Sequence, residues 1–379
     1  VTGALRQARR IVVKVGSALL VDGQSGTLRV AWLQSLVADL ANLKKNNVEV
    51  LLVSSGAVAL GRRALGLKPG ALRLEESQAA AAVGQVRLAQ AYADAFQAHG
   101  FTAAQILLTL EDSEDRRRYL NARETLRTLM ALGAIPVINE NDTVATAEIR
   151  FGDNDRLAAR VAGMAEADCL VLLSDIDGLY TANPKRDASA THIPEVRAIT
   201  PEIEAMAEGP VSGISRGGME SKIVAAKIAT AAGASVLIAD GHVLHPLTAL
   251  DGDARRTVFV PSVTPNAARK RWLAGGLSAK GVVTIDEGAE RALLSGKSLL
   301  PAGVLLAEGQ FDRGDIVAVR NRAGREIARG LIAYQGDEAR KLTGRRTVEI
   351  EAILGYRRRD EMIHRDDLAL TGHNGNEQT

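Results

Sequence analysis

Ile11-Val12-Val13-Lys14-Val15-Gly16-Ser17 sets a run of β-branched residues around one lysine and ends on a glycine and a serine. A run this apolar suits a strand buried on both faces of a parallel sheet. Polar residues at its C-terminal exit lie where open α/β sheets bind ligands. The spacing predicts the same kind of strand at Val48 to Val53, Ile135 to Ile138, Leu170 to Leu173 and Ser235 to Ala239. Stretches of helical period separate these runs. Leu28, Trp32, Leu36, Leu40 and Leu43 form one apolar stripe, which predicts a helix over Leu28 to Leu43 starting at Gly26-Thr27. A second helix is expected over Glu220 to Ala232, closed by Gly233. The first two-thirds of the chain therefore reads as an α/β protein on a mainly parallel sheet.

The chain has 379 residues, more than one compact core usually holds, so a boundary is expected. After Val260 the texture changes: Pro261, Pro265 and Gly275-Gly276 surround the basic Arg269-Lys-Arg271. We place the first domain at residues 1–265, a linker at 266–279, a small β-rich domain at 280–360 and a polar tail at 361–379. The β-rich reading rests on Val282 to Ile285, Ile316 to Val319 and Glu349 to Ile353, short strand-like runs punctuated by glycine.

Composition excludes several classes. The 47 basic and 45 acidic residues nearly cancel, which argues against a global field built for nucleic acid or an anionic membrane. The one cysteine, Cys169, allows no intramolecular disulfide and no cysteine-based zinc cluster, which fits a reducing cytosol, and its apolar neighbours predict a core strand residue. Arg6, Arg9 and Arg10 precede an apolar run that Lys14 interrupts after three residues, too soon for a signal peptide. No apolar run reaches the roughly eighteen residues of a spanning helix.

The polar residues cluster at the strand exits. Lys14 and Gly16 follow the first strand, where backbone and ammonium could meet a phosphate, although a lysine there is often simply solvated. Ser54-Ser55-Gly56 follows the second, as an anion grip or as a serine N-cap. Asn139-Glu140-Asn141-Asp142 and Gly152-Asp153-Asn154-Asp155 follow the third, rich in acceptors for a substrate ammonium group, with helix capping as the plainer explanation of Asp153 or Asn154. Ser174-Asp175 leads into the turn at Asp177-Gly178. Gly213-Ile-Ser-Arg216-Gly217-Gly218-Met219-Glu-Ser-Lys222 joins a glycine loop to a helix carrying a lysine. Standard nucleotide motifs are absent: there is no G-x-G, and Gly296-Lys297-Ser298 fails as a P-loop because Arg291 holds the first glycine position. His242 and His245, in a loop near Pro246, read as surface residues, and no structural metal is expected.

Taken in order, Lys14-Val-Gly-Ser17, Ser54-Ser-Gly56, Asn139-Glu-Asn-Asp142, Gly152-Asp-Asn-Asp155, Ser174-Asp175 and Gly217-Gly-Met-Glu-Ser-Lys222 resemble the amino-acid kinase family, and within it the members that act on glutamate. Residues from about Lys280 to Arg358 resemble the PUA domain that many bacterial members carry. The resemblance implies a three-layer α/β/α sandwich with a β-rich PUA domain, and ATP-dependent phosphorylation of the side-chain carboxylate of L-glutamate in the cytoplasm. It implies that Lys14 and Lys222 are catalytic and hold the transferring phosphoryl group. It assigns Ser174, Asp175, Arg216, Gly217, Gly218 and Met219 to ATP together with the lysines, and Ser55, Asp142, Asn154 and Asp155 to glutamate. Arg216 departs from the threonine common before Gly-Gly-Met. Magnesium is the expected cofactor, its ligands left open. Proline as a feedback inhibitor, a homo-oligomer and hand-over to glutamate-5-phosphate reductase also belong to the resemblance.

The chemistry suits these residues. A glutamate side chain, with a reference pKa of about 4.3, is already ionised at neutral pH, so no general base is called for. Cations must instead offset the repulsion between nucleophile and triphosphate. Two other readings stay open: a kinase of the same family acting on aspartate, N-acetylglutamate, carbamate or a nucleoside monophosphate, and an RNA-binding PUA protein with an inactive kinase scaffold. Arg320, Arg322, Arg325 and Arg329 are the residues an RNA contact would use.

Overall fold

The computed structural model describes residues 5, 8–68, 70–145, 154–207, 218–275, 279–356 and 359–371. The chain divides into two compact units, Val1–Pro265 and Asn266–Thr379. The strands of the first are β1 (Arg10–Val15), β2 (Glu49–Ser54), β3 (Ala103–Leu108), β4 (Ile135–Glu140), β5 (Cys169–Ser174), β6 (Leu179–Tyr180), β7 (His192–Ile193), β8 (Glu195–Val196), β9 (Ser235–Asp240) and β10 (Arg256–Phe259). Eight of them form one sheet in the order β3-β4-β2-β1-β5-β9-β10-β8, while β6 and β7 make a separate ribbon. From β3 to β9 every pairing is parallel; β10 runs antiparallel to β9.

Among the described helices, five carry or adjoin the residues at the sheet's polar edge: α1 (Val30–Lys45), α2 (Ala57–Ala64), α3 (Leu74–Gln97), α4 (Asn154–Met164) and α5 (Met219–Ala231). Strand alternation sends Ile11, Val13 and Val15 into one core layer with Leu36 and Leu40 of α1 and Leu88 and Tyr92 of α3. Val12 faces the opposite layer, with Leu157 and Val161 of α4 and Ile223 and Ala226 of α5. The result is a three-layer α/β/α sandwich. Lys14, two residues after Val12, shares the face that looks toward α4 and α5.

Where the boundaries differ from the sequence reading, pairing and packing explain it. The strand expected to end at Ile138 runs on through Asn139 and Glu140, which pair with Leu107 and Leu108 of β3. The first helix starts at Val30, because Leu28 is used in an antiparallel bridge to Val21. Cys169 is buried on β5, and burial pushes its thiol up to about 12, as suits an inert core residue.

A polar staple fixes the loop that leaves β9. From α1, Trp32 Nε1 donates to the Gly241 carbonyl at 2.7 Å and Ser35 Oγ accepts from the His245 N–H at 3.1 Å. Asp39, buried, accepts from the N–H groups of Leu247 and Thr248 at 3.0 and 3.1 Å and from Thr248 Oγ1 at 2.7 Å. Spacings of three and four put these residues on one helix face. Removing the Asp39 carboxylate strands two backbone donors, each costing about 1–3 kcal/mol, so Asp39→Ala should lower unfolding stability by roughly 2–6 kcal/mol in denaturant melts.

The second unit is a five-stranded sheet of β11 (Gly281–Ile285), β12 (Val304–Gly309), β13 (Ile316–Arg320), β14 (Glu326–Leu331) and β15 (Leu368–Leu370), in the order β12-β11-β13-β14-β15. Its core gathers Val283, Val317, Val319, Tyr334, Met362 and Ile363. The strand expected over Glu349 to Ile353 is instead a 3₁₀ turn, Thr347–Glu349, leading into a helix, Ile350–Leu354. Ile350 is buried and Ile353 and Leu354 pack beside it, a helical spacing of three and four. The basic stretch read as linker is helical over Pro265–Gly275, and the stretch read as tail supplies β15. Arg320, Arg322 and Arg325 are exposed, whereas Arg329 Nε donates to Glu326 Oε1 at 2.7 Å. Among the described residues, no helix is long and apolar enough to cross a membrane.

Candidate active site

The C-terminal ends of β1, β2, β4 and β5 come together by register. Lys14 pairs with Val53 and Leu172, Val15 with Ser54, and Ser174 with Asp240 of β9. Three titratable groups meet at this edge. Lys14 Nζ lies 2.6 Å from Asp155 Oδ1, and Lys222 Nζ lies 3.1 Å from Asp155 Oδ2. Ser221 Oγ donates to the same Oδ2 at 3.4 Å. Asp155 is fully buried, and Lys14 and Lys222 are 7% and 5% exposed, so the plainer reading of Lys14 as a solvated charge does not hold.

Each group arrives from its own element. Lys14 comes from β1, Asp155 from the first turn of α4 and Lys222 from the first turn of α5. Burial alone would raise the Asp155 carboxyl. The charges of Lys14 and Lys222, and the hydrogen bonds they donate, outweigh it and hold the group below the usual carboxylate range. Within this trio the two ammonium groups outnumber the one carboxylate.

A second cluster is uncharged. Asn154 Nδ2 donates to Ser55 Oγ at 2.7 Å and to Asn139 Oδ1 at 2.9 Å, and Asn139 Nδ2 donates to Gln85 Oε1 at 2.8 Å. Ser54 Oγ sits 2.9 Å from the Tyr92 hydroxyl. Helix capping therefore does not explain Asn154, whose side chain is committed to β2 and β4. Nor does it explain the serines: the N-cap of α2 is Gly56, without a side-chain cap bond. Its φ of 115° and ψ of −8° lie in the left-handed region, which is why glycine follows Ser54-Ser55.

Asp142 is half-buried in the turn after β4, Ser174 is buried with its hydroxyl 3.1 Å from Asp175 Oδ1, and Asp175 is exposed. Gly218 caps α5 in an extended conformation, and Met219 packs on the layer beside α4. Arg216, Gly217, Gly213, Gly152 and Asp153 lie outside the described residues. The structure thus brings Lys14, Asp155 and Lys222 together, and separately joins Ser55 with Asn154. Sequence reasoning missed Gln85 and Tyr92, which reach the site from α3 and carry no local motif.

Residues 9–240 match the profile of the amino acid kinase family, more than half of the chain. The chain belongs to the amino acid kinase family. Residues 281–354 of this kinase match the PUA domain. It is 57% identical over 368 residues to the glutamate 5-kinase of Paramagnetospirillum magneticum, covering 97% of this chain and 99% of that protein. It is 59% identical over 372 residues to glutamate 5-kinase 1 of Rhizobium meliloti, covering 98% and 94%. With the glutamate 5-kinase of a Ruegeria species it shares 58% identity over 97% of this chain and 100% of that protein.

Proposed function

We propose that this kinase transfers the terminal phosphoryl group of ATP to the side-chain carboxylate of L-glutamate, giving L-glutamate 5-phosphate and ADP, the first step of proline biosynthesis. The observation that carries the reading is the pair of buried lysines on one carboxylate at the sheet edge, within a chain that matches glutamate 5-kinases along nearly its whole length. A carboxylate oxygen of glutamate attacks the terminal phosphorus, and the bond from that phosphorus to the bridging oxygen of ADP breaks. No proton has to be removed first. The barrier is charge repulsion, and Lys14 and Lys222 are placed to hold the equatorial oxygens of the transferring group as charge spreads over them.

Each oxygen of Asp155 meets an ammonium group, so in this reading it sets the two lysines in addition to the glutamate contact that the resemblance implies. Ser55, Asn154 and Asp142 remain the glutamate contacts, and Ser174, Asp175, Gly218 and Met219 the nucleotide contacts, with Arg216 and Gly217 beside them in the loop. Among the described residues no three metal-ligating side chains gather. This donor set fits a magnesium ion that arrives on the triphosphate, held mainly by phosphate oxygens and water, where it would neutralise charge. Proline inhibition, self-assembly, hand-over to glutamate-5-phosphate reductase and a cytoplasmic location accompany the reading.

The test is ATP consumption with magnesium, L-glutamate and hydroxylamine, which traps the acyl phosphate as a coloured hydroxamate, beside aspartate and N-acetylglutamate. Glutamate-selective product is the expected result; product with another acceptor alone would reassign the substrate. Lys14→Ala and Lys222→Ala should each lower kcat by at least about tenfold, equivalent to about 1.4 kcal/mol in the barrier, and unchanged turnover in both would remove the lysines from the mechanism.

A further inference from the structure

The uncharged cluster has a direction. Asn154 Nδ2 has three acceptors in reach: Ser55 Oγ at 2.7 Å, Asn139 Oδ1 at 2.9 Å and the Ser54 backbone carbonyl at 3.3 Å. A backbone carbonyl can only accept, so the end of the Asn154 amide that faces it must be the NH₂ group. Asn139 must then turn its oxygen toward Asn154 and its nitrogen away. That nitrogen meets Gln85 Oε1 at 2.8 Å. Reversing any one amide would set oxygen against oxygen or nitrogen against nitrogen. Ser55 Oγ spends a lone pair on the Asn154 N–H, so its own proton is left to be donated elsewhere.

We propose that Gln85 is a positioning residue for the glutamate site: by accepting from Asn139 Nδ2 it anchors the far end of the amide order that the Ser54 carbonyl sets, and so steadies the Ser55 hydroxyl as a hydrogen-bond donor. The inference rests on the glutamate reading. Glutamate brings two carboxylates, which accept and do not donate, so a serine turned as donor binds one and a serine turned as acceptor repels it. The helix bearing Gln85 supports the same corner a second time. Tyr92, seven residues on and so on the same face of α3, meets Ser54 Oγ at 2.9 Å.

The experiment is a double-mutant cycle in the hydroxamate assay with Gln85→Met, Asn139→Ala and the double variant. Gln85→Met should raise KM for glutamate by about fivefold to tenfold, the size of one hydrogen bond, with KM for ATP and the melting temperature little changed. In the Asn139→Ala background the same substitution should add less than about twofold, because its route to Ser55 is already cut. The inference is overturned by an unchanged KM for glutamate, by an equal factor in both backgrounds, or by a parallel rise in KM for ATP. Should Gln85→Met not fold, Gln85→Ser at this half-buried position is read by the same criteria. No hydroxamate from the unsubstituted chain would overturn the glutamate reading itself, and this inference with it.

Discussion

Asp155→Asn is expected to lower kcat by at least about a hundredfold, about 2.7 kcal/mol, and to destabilise the fold by roughly 3–5 kcal/mol. The substitution keeps the shape of the side chain and removes the carboxylate charge that the structure sets between Lys14 and Lys222, all three groups being buried. Two ammonium groups would then face each other across a neutral amide in a medium that screens poorly. They must separate, lose a proton or admit water, and each response takes them out of line with a transferring phosphoryl group. Acid titration gives an independent check. The folded Asp155 carboxyl titrates below its unfolded counterpart, which lies at about 3.9, so its contribution is complete above that pH and is lost as pH falls through the folded value. The unsubstituted chain should therefore lose stability on acidification below about pH 4 through a component that the variant lacks. A variant that turns over normally and shows the same acid profile would disprove the role given to Asp155.

Lys14 stood out by its place at the exit of an apolar strand, where a phosphate contact and a solvated charge were both open, and its burial against Asp155 removes the second. Lys222 was legible from the glycine loop before it. Their partner was not. Asp155 stands among the polar residues after β4, and only the packing of α4 against β1 shows that its carboxylate meets both lysines. The five inner strands were legible from apolar runs, whereas β3, with the polar Gln105 at its centre and most residues half-buried, carries no comparable signal. Short segments misled for a related reason. Glu349 to Ile353 offers too few residues to separate a period of two from one of 3.6, and burial of Ile350 beside Ile353 and Leu354 settles it as helix. The Gln85–Asn139 contact spans 54 positions in the chain, and nothing in the residues around Gln85 marks it apart from other helix surface positions.

The crossing of α2 and α3 was equally hidden, and it carries the second large effect: Gly84→Ala should destabilise the chain by about 3 kcal/mol or more. A Cβ built on Gly84 would lie 1.7 Å from the carbonyl oxygen of Ala57, and one on Gly61 would lie 1.7 Å from that of Ala80. Both obstacles are helix backbone, which cannot turn aside as a side chain can, so the two helices would have to move apart. Alanine's better helix propensity returns only about 1 kcal/mol, too little to reverse the sign. Separation would also reach the site, since α2 starts directly after Ser55-Gly56 and α3 carries Gln85 and Tyr92. The variant should therefore show a raised KM for glutamate together with its early denaturant midpoint. Gly23→Ala, where an added Cβ meets nothing within 4 Å, is the neutral comparison. A Gly84→Ala midpoint equal to that of Gly23→Ala would mean that the helices can yield at this crossing, and that the close approach does not set the geometry of Ser55.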